Sequence, residues 1–179
     1  MLYIRHAQKL YRNGRSSEYS LDPGLTEEGR QAAKLKFTAL VQTYKLPSKI
    51  ISSPYLRARE TAIIAQDIIL NLTGNFIEIS YDPLLGEYLG PHHKHRNLNE
   101  CLHAETLIHN PIPPETWDQY ILRIAKYMET IQPDCWVNTW VVTHGLIIQS
   151  ISSRSGMKIS HPHELEGIYI DNGNITLIY

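Results

Sequence analysis

The feature that most constrains the fold is an alternation between short apolar segments and longer amphipathic ones. Short runs rich in β-branched or aromatic residues occur at residues 2–4, in "KIISS" from Lys49, in "FIEISY" from Phe76 and in "WVVT" from Trp140. Segments with helical periodicity separate these runs. Strands that alternate with helices predict an α/β fold, a three-layer sandwich with a mostly parallel central sheet and helices on both faces.

Start and stop signals place four helices. Thr26, followed by two glutamates, predicts the first helix, and Pro54 and Gly74 bracket the second. A third helical pattern covers residues 115–131, and "GLIIQSISSRSG" predicts a fourth helix that ends at Gly156.

The remaining segments are a hairpin and a long excursion. "GIYIDNGNITLIY" predicts two strands around a tight turn, which add antiparallel character at one edge of the sheet. Periodicity fails over about residues 82–114, and irregular segments of this length are usually functional or disordered. No repeat or linker interrupts the pattern, so we predict a single domain over residues 1–179.

Composition excludes several classes of function. The 179 residues are 42% hydrophobic and 20% charged, and a net charge of −1 gives no basic field for nucleic acid or anionic membranes. Cys101 and Cys135 make neither a disulfide framework nor a CxxC pair. No signal peptide or membrane-length apolar run is visible. We therefore expect a cytoplasmic protein with no nucleic-acid or membrane partner; the oligomeric state stays open.

Polar residues cluster where the predicted strands end. Ligands of open α/β sheets bind beyond the carboxyl ends of the strands. Four such groups follow successive strands, namely Arg5-His6, Ser52-Ser53 with Arg57, Glu87, and Thr143-His144 before Gly145. If they meet at one edge, two histidines, two arginines and a carboxylate are brought together.

This set of side chains suits phosphoryl transfer. Arginines offer forked, charged donors for phosphate oxygens, and a helix that starts at Gly145 adds backbone donors. A neutral histidine can attack phosphorus, and a carboxylic acid can protonate the leaving oxygen. Cationic side chains can neutralise the phosphate, so this chemistry requires neither metal nor cofactor.

The motifs resemble those of the histidine phosphatase superfamily, the phosphoglycerate-mutase-like family. That family opens with a strand followed by Arg-His-Gly. Here a strand leads into Arg5 and His6, and only the third position of the motif differs. Its Ser-Ser-Pro-x-x-Arg-Ala-x-x-Thr-Ala block matches residues 52–62, its Leu-x-Glu matches residues 85–87, and its Val-x-His-Gly matches residues 142–145. "DPGLTEEGRQAA" and "NGNITLIY" are also similar to family segments, so the resemblance spans nearly the whole chain.

The resemblance implies a role for each matched residue. His6 is the nucleophile that becomes phosphohistidine, Glu87 is the proton donor, and Arg5, Arg57 and His144 form the phosphate pocket. The match assigns no role to Ser53. Other acids near Glu87 remain alternative donors, namely Asp82, Glu100 and Glu105.

The sequence departs from the family pattern near the nucleophile. Ala7 stands where the family usually has glycine, so either the loop needs no positive φ or the pocket is altered. The family often has an asparagine six residues after the nucleophile that helps to hold phosphate; here Arg12 is at that position and Asn13 follows. Either could substitute for it, so both are also candidates for the substrate rim. Lys9 is expected to be solvated, with a phosphate contact as the alternative.

The excursion carries candidates for substrate selection. "HHKHR" lacks the helical spacing or acidic partner of a typical metal site, so a substrate-facing rim is favoured. The rim candidates are Tyr88, His92, His93, Lys94 and Arg96.

The resemblance implies a metal-independent phosphatase for a phosphomonoester, either a phosphorylated small molecule or a phosphoprotein. The alternatives are a phosphoglycerate-mutase-type phosphotransferase, a phosphohistidine-protein phosphatase, and a catalytically silent module that only binds phosphate.

Overall fold

The computed structural model describes residues 1–10, 22–88, 115–131 and 138–179. Within these ranges the strands are β1 (Leu2–Arg5), β2 (Lys49–Ser52), β3 (Ile79–Tyr81), β4 (Thr139–Thr143), β5 (Gly167–Asp171) and β6 (Asn174–Ile178). The α-helices are α1 (Glu27–Thr43), α2 (Leu56–Thr73), α3 (Trp117–Thr130) and α4 (Gly145–Arg154).

The six strands form one sheet in the order β3-β2-β4-β1-β5-β6. β3, β2, β4 and β1 run parallel to one another, whereas β5 pairs antiparallel with both β1 and β6. Asn172 and Gly173 both have positive φ, 49° and 81°, as a tight hairpin turn between β5 and β6 requires. The predicted α/β sheet with an antiparallel edge hairpin is confirmed.

Alternate residues of the central strands enter two separate cores. Leu2, Ile4 and Trp140 belong to the cluster that α1 and α2 cover. Tyr3 and Val141 belong to the cluster that α3 and α4 cover. This alternation has the period of an extended strand, and it places helices on both faces of the sheet.

Two element boundaries follow from side-chain hydrogen bonds. Thr26 accepts a hydrogen bond from the backbone N–H of Gly29 at 2.8 Å and caps α1, as predicted. β3 begins three residues later than the "FIEISY" pattern predicts. The carbonyl of Ile77 accepts a hydrogen bond from Gln66 Nε2 at 2.5 Å. This carbonyl therefore bonds a side chain and not the backbone of a neighbouring strand.

The described part of the long excursion is its beginning. Residues 82–88 contain a short 3-10 helix, Pro83–Leu85, whose first turn is capped by the Asp82 carboxylate. The rim candidates His92, His93, Lys94 and Arg96 lie outside the described residues, as do Arg12 and Asn13. Over the part of the chain that the structure covers, helices of the length and hydropathy needed to cross a bilayer are absent.

Candidate active site

Two parallel strands bring the two histidines of the motifs together. Arg5 and Thr143 are the last residues of β1 and β4, and they lie opposite each other in the register of the two strands. His6 and His144 follow directly, and their ring centroids are 5.3 Å apart. The backbone N–H of His6 donates to the carbonyl of Thr143 at 3.0 Å, so strand pairing fixes the spacing of the two imidazoles.

The hydrogen bond of the His6 ring defines its tautomer. His6 is 1% exposed, and its Nδ1 lies 2.7 Å from the carbonyl oxygen of Ala7. A carbonyl only accepts, so Nδ1 carries the proton and Nε2 of the neutral ring keeps its lone pair. Burial, together with the nearby His144 and Arg57, lowers the pKa of His6 well below its usual range. His6 is therefore a neutral imidazole with its lone pair on Nε2.

Ala7 does not require the backbone freedom of the usual glycine. The described non-glycine residues with positive φ are Asn138, Leu165 and Asn172, and Ala7 is not among them. Ala7 is fully buried, and its N–H donates to Thr61 Oγ1 at 3.1 Å. Of the two alternatives that the sequence left open at Ala7, the one that holds is that this loop needs no positive φ there.

His144 presents a second buried ring nitrogen. Its Nε2 lies 2.8 Å from Ser53 Oγ, and its Nδ1 is buried without a hydrogen-bond partner in the described part of the chain. If the Ser53 hydroxyl donates to Nε2, Nδ1 of the neutral ring carries the proton and is a free donor. Burial, with Arg57 and Lys9 next in effect, lowers the pKa of His144 well below its usual range.

Arg57 is a buried cation between two carboxylates. It is 1% exposed; Nη1 lies 3.4 Å from Asp22 Oδ1, and Nη2 donates to Glu87 Oε2. The guanidinium also lies over the Tyr55 ring, 4.6 Å from its centroid. Burial raises the pKa of Asp22 to about 6 despite the opposing effect of Arg57. Arg57 enters the site because it lies in the first turn of α2, directly beyond the end of β2.

Arg5 lies at the same sheet edge, but its guanidinium contacts the loop before β5. Nη1 donates to the carbonyl of Pro162 at 2.7 Å, and Nη2 lies 3.6 Å from Glu164 Oε1. Arg5 also contributes to the lowered pKa of His144, so its charge reaches the site. The same loop places His161 against Gly145, where an added Cβ would lie 2.5 Å from His161 Nε2.

Glu87 is held by Arg57 at the more open side of the site. Its side chain is 34% exposed. Burial raises its pKa, but Arg57, Lys9 and His6 together bring it below the usual value. Glu87 is therefore an ionised partner of Arg57 in the free protein.

The described structure brings together His6, His144, Arg57 and Glu87 and places Arg5 beside them. Tyr88 follows Glu87, but its ring packs against Trp117 and Tyr120, with centroid distances of 5.5 and 5.2 Å. Lys9 is half-buried and lies within electrostatic reach of Glu87, which differs from the solvated lysine expected.

Sequence reasoning missed two contributors to this site and gave no role to a third. Asp22 lies in the segment "DPGLTEEGRQAA", which gives no sign that it contacts Arg57. His161 lies in no motif. Ser53 was expected near Arg57, and its role comes from its contact with His144.

The whole chain matches the sequence model of the histidine phosphatase superfamily (branch 1), over residues 1–179. No curated protein matches the sequence significantly. A variant of a Thermus thermophilus protein is similar in structure, with a TM-score of 0.63 and 22% identity over 99% of this chain and 98% of that one.

Two further solved structures have the same fold. The mycobacterial glucosyl-3-phosphoglycerate phosphatase has a TM-score of 0.59 and 20% identity, over 93% of this chain and 86% of that one. An Agrobacterium tumefaciens protein provisionally identified as the phosphohistidine phosphatase SixA has a TM-score of 0.54 and 17% identity, over 86% and 74%. With the family match over its full length, the chain belongs to the histidine phosphatase superfamily.

Proposed function

We propose that this protein is a metal-independent phosphatase that hydrolyses phosphomonoesters through a phosphohistidine at His6. The observation that carries the proposal is the tautomer of His6. Nδ1 is committed to the Ala7 carbonyl, so the basic nitrogen Nε2 is available for attack on phosphorus. Membership of a superfamily of phosphatases and mutases supports this chemistry.

The proposed first step transfers the phosphoryl group to His6. Arg57, the free Nδ1–H of His144 and the N-terminus of α4 bind the phosphate oxygens, and Arg5 adds positive charge. Nε2 of His6 attacks phosphorus, a P–N bond forms and the bond from phosphorus to the ester oxygen breaks. Glu87 gives its proton to that oxygen, so the product leaves as a neutral alcohol.

Proton donation requires that Glu87 be protonated when substrate is bound. In the free protein Arg57 stabilises the carboxylate of Glu87. An incoming phosphate competes for Arg57, and its negative charge beside Glu87 raises the pKa of that carboxyl. Substrate binding therefore converts Glu87 from an ion-pair partner into an acid.

The proposed second step returns His6 to its starting form. Water attacks the phosphohistidine, and the Glu87 carboxylate accepts a proton from that water. The P–N bond breaks, inorganic phosphate leaves, and Nε2 regains its lone pair. Glu87 thus acts first as an acid and then as a base.

The substrate class proposed is a phosphomonoester, either a phosphorylated small molecule or a phosphoprotein. The described site adds no observation that favours a mutase over a phosphatase. We propose a cytoplasmic location, because the two cysteines make no disulfide framework.

The experiment is turnover of p-nitrophenyl phosphate by the wild type and by His6→Ala, each with and without EDTA. We expect wild-type activity that survives EDTA and no measurable activity in His6→Ala, whose folding is checked by circular dichroism. Wild-type activity abolished by EDTA would contradict a metal-independent mechanism. Tight phosphate binding without any turnover would instead identify a silent phosphate-binding module.

A further inference from the structure

Buried side chains hold the backbone that leads into Glu87. Arg123 Nη1 donates to the carbonyl of Leu84 at 2.6 Å and to the carbonyl of Gly86 at 3.0 Å. These carbonyls belong to the 3-10 turn and to the residue directly before Glu87. One guanidinium nitrogen of α3 therefore bonds two backbone carbonyls just before Glu87.

The carbonyl of Leu85, between these two, accepts a hydrogen bond from another element of the fold. Thr143 Oγ1 donates to the carbonyl of Leu85 at 2.8 Å, and both residues are fully buried. Thr143 directly precedes His144, so the turn is bonded to the strand that carries one of the two histidines. Three consecutive carbonyls before Glu87 are thus held by side chains from two elements, β4 and α3.

Arg123 is itself oriented by a carboxylate. Its Nε lies 3.0 Å from Glu115 Oε2 and its Nη2 lies 2.5 Å from Glu115 Oε1, a bidentate pair. The two side chains are 9% and 8% exposed. Forked pairing of this kind fixes the plane of the guanidinium, which leaves Nη1 aimed at the turn.

The turn becomes important when phosphate binds. Among the described residues, Arg57 donates a side-chain hydrogen bond to Glu87. In the proposed mechanism Arg57 binds the phosphate instead. The partly exposed carboxyl must then stay within reach of the leaving oxygen without that contact. The clamped backbone of residues 84–86 is what remains to position it.

We propose that Arg123 is a positioning residue that holds Glu87 in place for proton transfer through the carbonyls of Leu84 and Gly86. This inference rests on the proposed role of Glu87 as proton donor. Arg123 touches neither the phosphate nor the leaving group in this account. Its effect on the first step comes from the position of Glu87.

The test compares an alkyl phosphate with p-nitrophenyl phosphate, because a phenolate with a nitro group leaves without protonation. Arg123→Met should lower kcat/KM for the alkyl phosphate about 10–100-fold and change kcat/KM for p-nitrophenyl phosphate much less, since a misplacement of about 1 Å costs about that factor. The ratio kcat/KM is compared because it reports the first step and not hydrolysis of the phosphohistidine, which both substrates share. Lys126→Met is the matched control, as Lys126 is exposed on the same helix. It should leave both rates unchanged.

A double variant separates positioning from a general structural effect. If Arg123 acts through Glu87, Arg123→Met should add little further loss for the alkyl phosphate in a Glu87→Gln background. Losses that multiply, or a loss shared equally by both substrates, would overturn the inference. Selective loss in Glu87→Gln without selective loss in Arg123→Met would also overturn it and leave the proposed function standing.

Other outcomes are equally decisive. If Glu87→Gln itself shows no selectivity, the proposed proton donor is wrong and the inference falls with it. If Arg123→Met does not fold, Arg123→Lys replaces it, because lysine keeps a cation opposite Glu115 but loses the forked geometry. A selective loss in Arg123→Lys supports the inference, and equal activity on both substrates overturns it.

Discussion

The two halves of the site are held in place by different means. His6, His144 and Arg57 are each 1% exposed and lie where strands end or where a helix begins. Glu87 lies on a turn after β3, is 34% exposed, and depends on side chains from α3 and β4. We call the first set the phosphate half and Glu87 with its turn the donor half.

The difference predicts two kinds of damage. The phosphate half is fixed by backbone topology, and in the proposed mechanism it binds the group that every substrate shares. The donor half is fixed by a few side-chain hydrogen bonds, and in the proposed first step it matters only for leaving groups that need a proton. Changes in the phosphate half should therefore affect all substrates, and changes in the donor half should discriminate among them.

The broadest effect expected in testing this comparison is that of Arg57→Lys, because it should act on every substrate. Lysine keeps the charge but loses the fork that reaches Asp22 and Glu87, so kcat/KM should fall about 10²-fold on both substrates, given about 1.5–3 kcal/mol per charged hydrogen bond. Arg59→Lys is the control, because Arg59 lies over Tyr81 on the same helix. Steady-state kinetics that show equal activity in the two variants would contradict the phosphate half as described.

The donor half is tested by Glu87→Gln. The value of kcat/KM, which reports the first step, should fall about 10²–10⁴-fold for alkyl phosphates, the usual value of general acid catalysis, and should fall much less for p-nitrophenyl phosphate. Equal losses on both substrates would show that Glu87 orders the pocket and does not donate the proton. No loss on either would direct attention to Asp82, Glu100 and Glu105.

A smaller effect is expected for Ser53→Ala. Loss of the hydroxyl removes the partner of His144 Nε2, so the tautomer of His144 is no longer fixed. The rate of hydrolysis of both substrates should therefore fall about 2–10-fold, which corresponds to one neutral hydrogen bond. Ser52→Ala is the matched control, because the equally buried Ser52 hydroxyl bonds only the carbonyl of Ser53. Kinetics in which Ser52→Ala is the more damaged variant would refute this role for Ser53.

The smallest effect concerns stability against pH. The pKa values of His6 and His144 are lowered in the folded state, so below pH about 6.5 the unfolded chain binds protons that the folded chain does not, and stability falls. Asp22 acts in the opposite direction, because its pKa is raised to about 6 and protonation stabilises the fold below that pH. The opposing effects of the two buried histidines and the aspartate leave a net loss of about 1 kcal/mol of stability per pH unit. The lowered pKa of His161 acts in the same direction as those of His6 and His144.

Urea unfolding between pH 7 and 5 measures this slope. His6→Gln removes one of the two histidines and should flatten it. A free energy of unfolding that rises as the pH falls would mean that the two imidazoles are not held neutral by burial.

The residues of the phosphate half and Glu87 itself were named from the sequence, but the contacts that hold the Glu87 turn were not. Apolar strands followed by Arg-His or Thr-His are local patterns, and parallel strands bring their ends together. The clamp on Glu87 joins Glu115, Arg123 and Leu84, which lie up to 39 positions apart and belong to no shared motif. Contacts of this kind depend on how helices pack on the sheet, which the sequence pattern does not specify.

Local competition explains the remaining differences. Gln66 binds the carbonyl of Ile77 and delays β3, which the alternating pattern does not reveal. The Tyr88 ring contacts Trp117 and Tyr120, which the sequence did not reveal, and its rim assignment stays a prediction. The assignments at Arg12, Asn13, His92, His93, Lys94 and Arg96 stay predictions, because these residues lie outside the described ranges.

The most direct test of the central claim is to trap the phosphoenzyme. Wild-type protein is mixed with radiolabelled phosphomonoester, quenched in base within milliseconds, and the labelled peptide is identified by mass spectrometry. The account predicts an acid-labile, base-stable phosphate on Nε2 of His6, and none in His6→Ala. Label on His144 or Ser53, or turnover in His6→Ala at the wild-type rate, would contradict it.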